Sequence, residues 1–180
     1  MLYFKPFFMN KILFIGFFLL VSVFYACQTD KPNSNAAVPE PPFELKIEQT
    51  LDLKSYNLPF SIKVPANAKV ETKKGFTPEY VIATRGYYLQ IMPINLGTST
   101  RKKLKEEALQ EIEARPEFSK VILNDSFGFV YETKWEKLPN AYNFRYFYTQ
   151  GETYYDFRSA NSRGLKQDDA LLIYKNIKQE

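Results

Sequence analysis

The stretch NFRYFYTQGETYYDFRS, residues 143–159, decides the fold. Two runs rich in Phe and Tyr, Asn143–Thr149 and Thr153–Ser159, flank Gln150-Gly151-Glu152. Aromatic side chains suit a pleated, half-buried surface, and a short Gly-centred break closes a tight antiparallel hairpin. Upstream, Ser119–Asn124 and Phe127–Trp135 have the same character, so residues 119–159 read as an antiparallel meander. Phe127, Phe129, Tyr131 and Trp135 share one parity, and Tyr142, Phe144, Tyr146 and Tyr148 share another in the following strand. Period 2 sends each set to one face, and the expectation is that such a face is core.

Working outward, TSTRKKLKEEALQEIEARP, residues 98–116, is the clearest helix. Ser99 or Thr100 can cap it, Leu104, Ala108, Leu109 and Ile112 form an apolar stripe, and Pro116 stops it. The run KKLKEE is its solvated face. A second helix is expected over Gln167–Lys178, with Asp168 and Asp169 in the first turn, where the helix dipole favours negative charge. Before the first helix, Phe60, Ile62 and Val64 alternate with Ser61 and Lys63, and Pro65-Ala66-Asn67 ends that strand. Ala68–Thr72, Tyr80–Ala83 and Tyr87–Ile94 read as further strands, with Arg85-Gly86 as a turn between the last two. In the opening segment, alternation of Phe43, Leu45 and Ile47 predicts a strand. The fold class expected is α+β: an antiparallel sheet with one mid-chain and one C-terminal helix.

That order of elements resembles the PsbP-like (Mog/DcrB-type) α/β/α sandwich of small exported lipoproteins and photosystem extrinsic subunits. The residues carrying the resemblance are PFSIKVPAN (59–67), the helix Thr100–Arg115 following a strand that ends at Ile94, and ALLIYKNIK (170–178). The tryptophan common after the proline of such an opening strand is absent here. The resemblance implies a sandwich over Leu58–Lys178 and a binding or assembly role more than a catalytic one.

Phe147 and Tyr155 break the aromatic parity, since two neighbouring aromatics in a strand cannot face the same way. With Tyr88 they are candidates for an aromatic platform on the other face, edged by Arg145 and Arg158, suited to a sugar ring or a partner protein. If a helix covers that face as well, these aromatics are core instead. Among acids, Asp168-Asp169 point about 100° apart on a helix, and Glu132 and Asp156 are the one pair that strand pairing could bring together for carboxylate-dependent hydrolysis.

Composition excludes several classes. The 180 residues contain no histidine and a single cysteine, which removes Ser-His-Asp and Cys-His catalysis, the usual zinc ligand sets and any disulfide within one chain. No Gly-rich phosphate loop occurs among the seven glycines. No cofactor or metal is expected. Outside residues 1–26 the chain has 22 basic and 20 acidic residues, too even a balance for a nucleic-acid surface.

The cysteine sits at a telling place. MNKILFIGFFLLVSVFYAC, residues 9–27, has a basic start at Lys11, an apolar run Ile12–Val23, and Ala26 directly before Cys27. Twelve apolar residues make roughly 18 Å of helix against a hydrocarbon core of about 30 Å, so the segment reads as a cleaved signal rather than a span. Phe24-Tyr25-Ala26-Cys27 resembles the lipobox of bacterial lipoproteins, though Phe24 and Tyr25 are bulkier than the usual residues. The resemblance implies cleavage after Ala26 and a diacylglyceryl (palmitate-bearing) anchor on Cys27. Residues 1–8 add nothing to that signal, which makes Met9 a candidate initiator. QTDKPNSNAAVPEPP, residues 28–42, reads as a flexible tether reaching on the order of 20 Å. The expected organisation is therefore signal 1–26, lipidated Cys27 and tether 27–42, and a single α+β domain 43–180.

Those features predict a lipid-anchored cell-envelope protein with a non-catalytic binding or assembly role. Its expected partners are the membrane, through Cys27, and an envelope protein or glycan. Gln28 after the cysteine is not the aspartate of the best-known inner-membrane retention rule, so the expected site is the outer membrane of a diderm bacterium. A glycan-binding surface lipoprotein and a carboxylate-dependent hydrolase are the alternatives.

Overall fold

The computed structural model describes residues 43–95, 99–159 and 164–177. Ala26 and Cys27, with the rest of the expected signal and tether, lie outside the described residues. The domain is α+β, as expected. Its strands are β1 (Gln49–Asp52), β2 (Ser61–Val64), β3 (Lys69–Lys73), β4 (Glu79–Thr84) and β5 (Tyr87–Asn95), followed by helix α1 (Arg101–Glu113). Then come β6 (Phe118–Asn124), β7 (Gly128–Trp135), β8 (Leu138–Gln150) and β9 (Thr153–Arg158), and helix α2 (Gln167–Ile177) is the last described element. β1 and β2 form a two-stranded sheet; the other seven form one antiparallel sheet in the order β3-β4-β5-β9-β8-β7-β6.

Both faces of the large sheet are used. One face carries Ile82, Leu89, Ile91, Val130, Phe144, Tyr146, Tyr155 and Phe157, buried under α2 and the β1–β2 pair. Helix α2 contributes Ala170, Ile173, Tyr174 and Ile177, spaced i, i+3, i+4, i+7, which is the single stripe a surface helix needs. Phe60 beside β2 meets Tyr155 edge-on with ring centroids 5.0 Å apart. Each such ring, fully buried, contributes about 1.5–3 kcal/mol of apolar transfer. The Tyr174 hydroxyl donates to Asp125 Oδ1 at 2.8 Å. That same oxygen accepts from the backbone N–H groups of Phe127 and Gly128, so one carboxylate ties α2 to the β6–β7 turn.

On the opposite face α1 buries only Ala108 and Ile112 against Phe129, Tyr131 and Phe147. Its N-terminus is capped as the sequence suggests: Thr100 Oγ1 accepts from Lys103 N at 3.2 Å, satisfying one otherwise orphaned donor. This stripe is narrow, and α1 covers β6, β7 and β8 but not the polar face of β9 and β5.

Three expectations need correction. The alternation at Phe43–Ile47 does not make a strand; Leu45 is buried from an unpaired segment, and pairing starts at Gln49, opposite Val64. The expected start of the third meander strand at Asn143 is too late. Strand β8 starts at Leu138, five residues before the expected Asn143, because Glu136-Lys137 closes a second tight turn with Trp135 opposite Leu138. Phe127 parts from Phe129: it precedes β7 and stacks on Tyr146, 5.7 Å away, while Trp135 is half-exposed at the tip rather than core. The Arg85-Gly86 turn holds, with Gly86 at φ +71°, a left-handed conformation that an L side chain resists.

Candidate functional site

Arg145 and Arg158 stand directly opposite one another on β8 and β9. Like charges in that position repel, and the sequence relieves them with Asp156. Arg145 donates to Asp156 from Nε at 3.0 Å and from Nη2 at 2.6 Å, and Arg158 Nη2 donates to the same carboxylate at 2.6 Å. Asp156 is fully buried, whereas the Arg145 and Arg158 side chains are 12% and 29% exposed. The acid is the buried pivot, and the guanidinium groups are held over it with their remaining N–H donors turned elsewhere. The Phe147 ring lies 5.4 Å from the Arg145 guanidinium carbon.

This cluster floors a cleft of about 610 Å³ on the α1 face. Ile112 and Arg115 at the end of α1 form one wall, and Trp135, Leu138 and Pro139 of the β7–β8 turn form the other. Trp135 and Leu138 are 52% and 63% exposed, two of the few large apolar side chains left to solvent among the described residues. Thr133, Asn143 and Ser159 line the interior and bond to one another: Asn143 Nδ2 donates to Thr133 Oγ1, and Ser159 Oγ donates to Asn143 Oδ1. The arginines are less well matched. Arg158 Nε–H is buried without an acceptor among the described residues, and Arg145 Nη1 has only Glu111, 3.9 Å away. Glu111 is itself bonded to Arg115, just past the end of α1, and that bond lowers its pKa. Burial pushes the Tyr131 hydroxyl above its ordinary pKa, which keeps it neutral in the cleft wall.

A second polar knot lies on the other face of β7. Glu132 is 2% exposed and accepts from Ser119 Oγ at 2.7 Å, Tyr142 Oη at 2.9 Å and Asn140 Nδ2 at 2.9 Å. The Ser119 bond foremost, with support from Tyr142 and Lys134, holds its pKa at about 2 against the cost of desolvation. Glu132 and Asp156 therefore do not meet: they face opposite sides of the sheet, each already engaged. No group of three or more His, Cys, Asp or Glu side chains placed to hold a metal occurs among the described residues.

The aromatic platform expected from the sequence is not formed. Phe147 and Tyr155 are 1% and 7% exposed and lie on opposite faces, Phe147 beneath α1 and Tyr155 against Phe60. The reason is register: Tyr155 pairs with Tyr148 and Phe147 with Asp156, so Phe147 and Tyr155 cannot share a face. Tyr88 is half-buried on β5. Arg145 and Arg158 are brought together, and both line the cleft. The sequence reading missed Trp135, Thr133 and Asn143 as lining residues, and it weighed Asp156 only as an acid for hydrolysis.

Comparison with protein-family models, curated proteins and solved structures finds no match for this chain. No helix of the described residues is long and apolar enough to cross a membrane.

Proposed function

We propose that this chain is a lipid-anchored protein of the bacterial cell envelope with a non-catalytic binding or assembly role, exercised at the α1-face cleft. The domain is read as a PsbP-like sandwich held near the outer membrane by Cys27 and a fifteen-residue tether. The observation that carries the binding role is the cleft itself: about 610 Å³, with two arginines fixed by a buried acid at its floor and an exposed Trp135 at its rim. Ligand sites of this size combine apolar walls with a few fixed polar groups. The anchor rests on the position of Cys27 behind Ile12–Val23.

Intact mass of the membrane-extracted protein, with Cys27→Ser as control, tests the anchor. The expected result is a chain beginning at Cys27 with acyl chains attached; an uncut chain with a free thiol contradicts it. A photocrosslinking side chain at position 138 in whole cells tests the binding role. It is expected to capture one envelope component, and capture should fail with Arg158→Gln. Capture that ignores the arginine contradicts a role for the cleft.

A second reading, a glycan-binding surface lipoprotein, is favoured by Trp135. An exposed indole beside a polar cleft offers the flat apolar face on which a sugar ring stacks.

A further inference from the structure

We propose that the cleft binds an acidic oligosaccharide, with one carboxylate held by Arg145 and Arg158 and a ring further along the same sugar chain laid against Trp135. This rests on the reading of the cleft as a binding site and goes on to name the ligand class.

The charge count comes first. Arg145, Arg158 and Asp156 leave one positive charge at the floor. Of these two arginines Glu111 approaches only Arg145, at 3.9 Å, and it is shared with Arg115; Glu117 lines the cleft as well, so Arg115, Glu111 and Glu117 together carry one negative charge at the wall and the cleft as a whole is neutral. The donors come second. Two guanidinium groups carry ten N–H bonds, and the described hydrogen bonds use three of them, all to Asp156. One unused donor, Arg158 Nε–H, is buried. A floor rich in donors and poor in acceptors calls for an oxyanion. With one surplus charge at the floor and none over the cleft as a whole, a monoanionic carboxylate is matched better than a phosphate monoester, which carries about −1.5 to −2.

Shape sets the length. Arg145 lies four residues along β8 from Ala141, which pairs with Thr133, and Trp135 lies two residues further along β7. At about 3.3 Å per residue the Cα atoms of Arg145 and Trp135 are roughly 20 Å apart along the strands, and both side chains line the one cleft. A single ring does not span that; a short chain of rings does. Thr133 and Asn143 lie between the two ends, hydrogen-bonded to one another.

Trp135 is the sole tryptophan of the chain, so its fluorescence reports on the cleft alone. The full-length chain in detergent micelles is titrated with trigalacturonate, with neutral maltotriose and with glucose 6-phosphate. A saturable change in emission is expected with trigalacturonate, weakened about tenfold or more by Arg158→Gln. Gln90→Glu gives a second variant. Gln90 pairs with Arg158 across β5 and β9, so a carboxylate there takes up the surplus charge and is expected to weaken binding similarly without loosening the fold. Equal affinity for maltotriose, tighter binding of glucose 6-phosphate, or unchanged affinity in both variants overturns the proposal. Silence towards all three probes also overturns it. If crosslinking from position 138 still depends on Arg158 in that case, the binding role stands and only the ligand class falls.

Discussion

The two faces of the seven-stranded sheet are covered by one helix each, yet they end up chemically unlike. Under α2 the covering is complete, because the β1–β2 pair fills the area that one helix leaves open. That face accordingly carries Phe144, Tyr146, Phe157 and their neighbours at 0% exposure. Under α1 the described residues supply no second cover. The apolar cluster stops at Phe129, Tyr131 and Phe147, and beyond it the same face turns to Arg145, Asp156, Arg158 and the cleft. The lesson is that a sheet becomes a site where its covering layer runs out. One face holds the fold, and the other has room for chemistry.

The largest expected effect is on the sealed face. Phe157→Ala removes a ring that touches Phe60 and Tyr146, and should cost about 3–5 kcal/mol in urea unfolding. A loss below about 1 kcal/mol would mean that face is not the main core. On the open face, Asp156→Asn keeps the shape but leaves two opposed arginines without their counter-charge. About 3 kcal/mol is expected, with much of it restored at high salt by screening, which Phe157→Ala will not show. If salt rescues neither variant, the electrostatic contrast between the faces fails.

Acid sharpens the contrast further. The Glu132 pKa is lowered from 4.5 to about 2, so its contribution is fully present above about 4.5 and is lost as pH falls through about 2. The stability advantage of the wild type over Glu132→Gln should therefore shrink across that window, measured by urea unfolding at stepped pH. A constant difference would show that the Ser119 and Tyr142 hydrogen bonds do not favour the carboxylate. The smallest effect expected is a gain. The Tyr87 hydroxyl is buried without a partner among the described residues, and burial raises its pKa. Tyr87→Phe deletes an unsatisfied group and should stabilise by about 1 kcal/mol; destabilisation would reveal a partner for that hydroxyl.

Much of this fold is legible in the sequence, for identifiable reasons. The Leu104, Ala108 and Ile112 stripe and the cap at Thr100 fix α1 locally, and Asp168 and Asp169 mark the first turn of α2, whose buried stripe of Ala170, Ile173, Tyr174 and Ile177 shows only in the structure. Phe144, Tyr146 and Tyr148 fix the core face of β8 by period 2. The β7–β8 turn was not legible, because Glu136-Lys137 has neither Gly nor Asn to mark it. Nor was the assignment of Trp135, whose parity matches Phe129 but which no described residue buries. The site turned on one residue of register. With Gly151-Glu152 as a two-residue turn, Gln150 pairs with Thr153 and Arg145 meets Arg158. Centring the turn on Gly151 would set Arg145 against Phe157, and the cluster would not exist. That the strands pair is local information; which residues face α1 emerges only from the whole sheet.

Hydrogen exchange of the full-length chain, with and without saturating trigalacturonate, tests the division between the faces most directly. Added protection is expected at residues 133–145 and 156–159 and at the end of α1, with α2 and β1–β2 unchanged. Protection that appears at α2, or none at the β7–β8 turn despite bound ligand, would contradict the account.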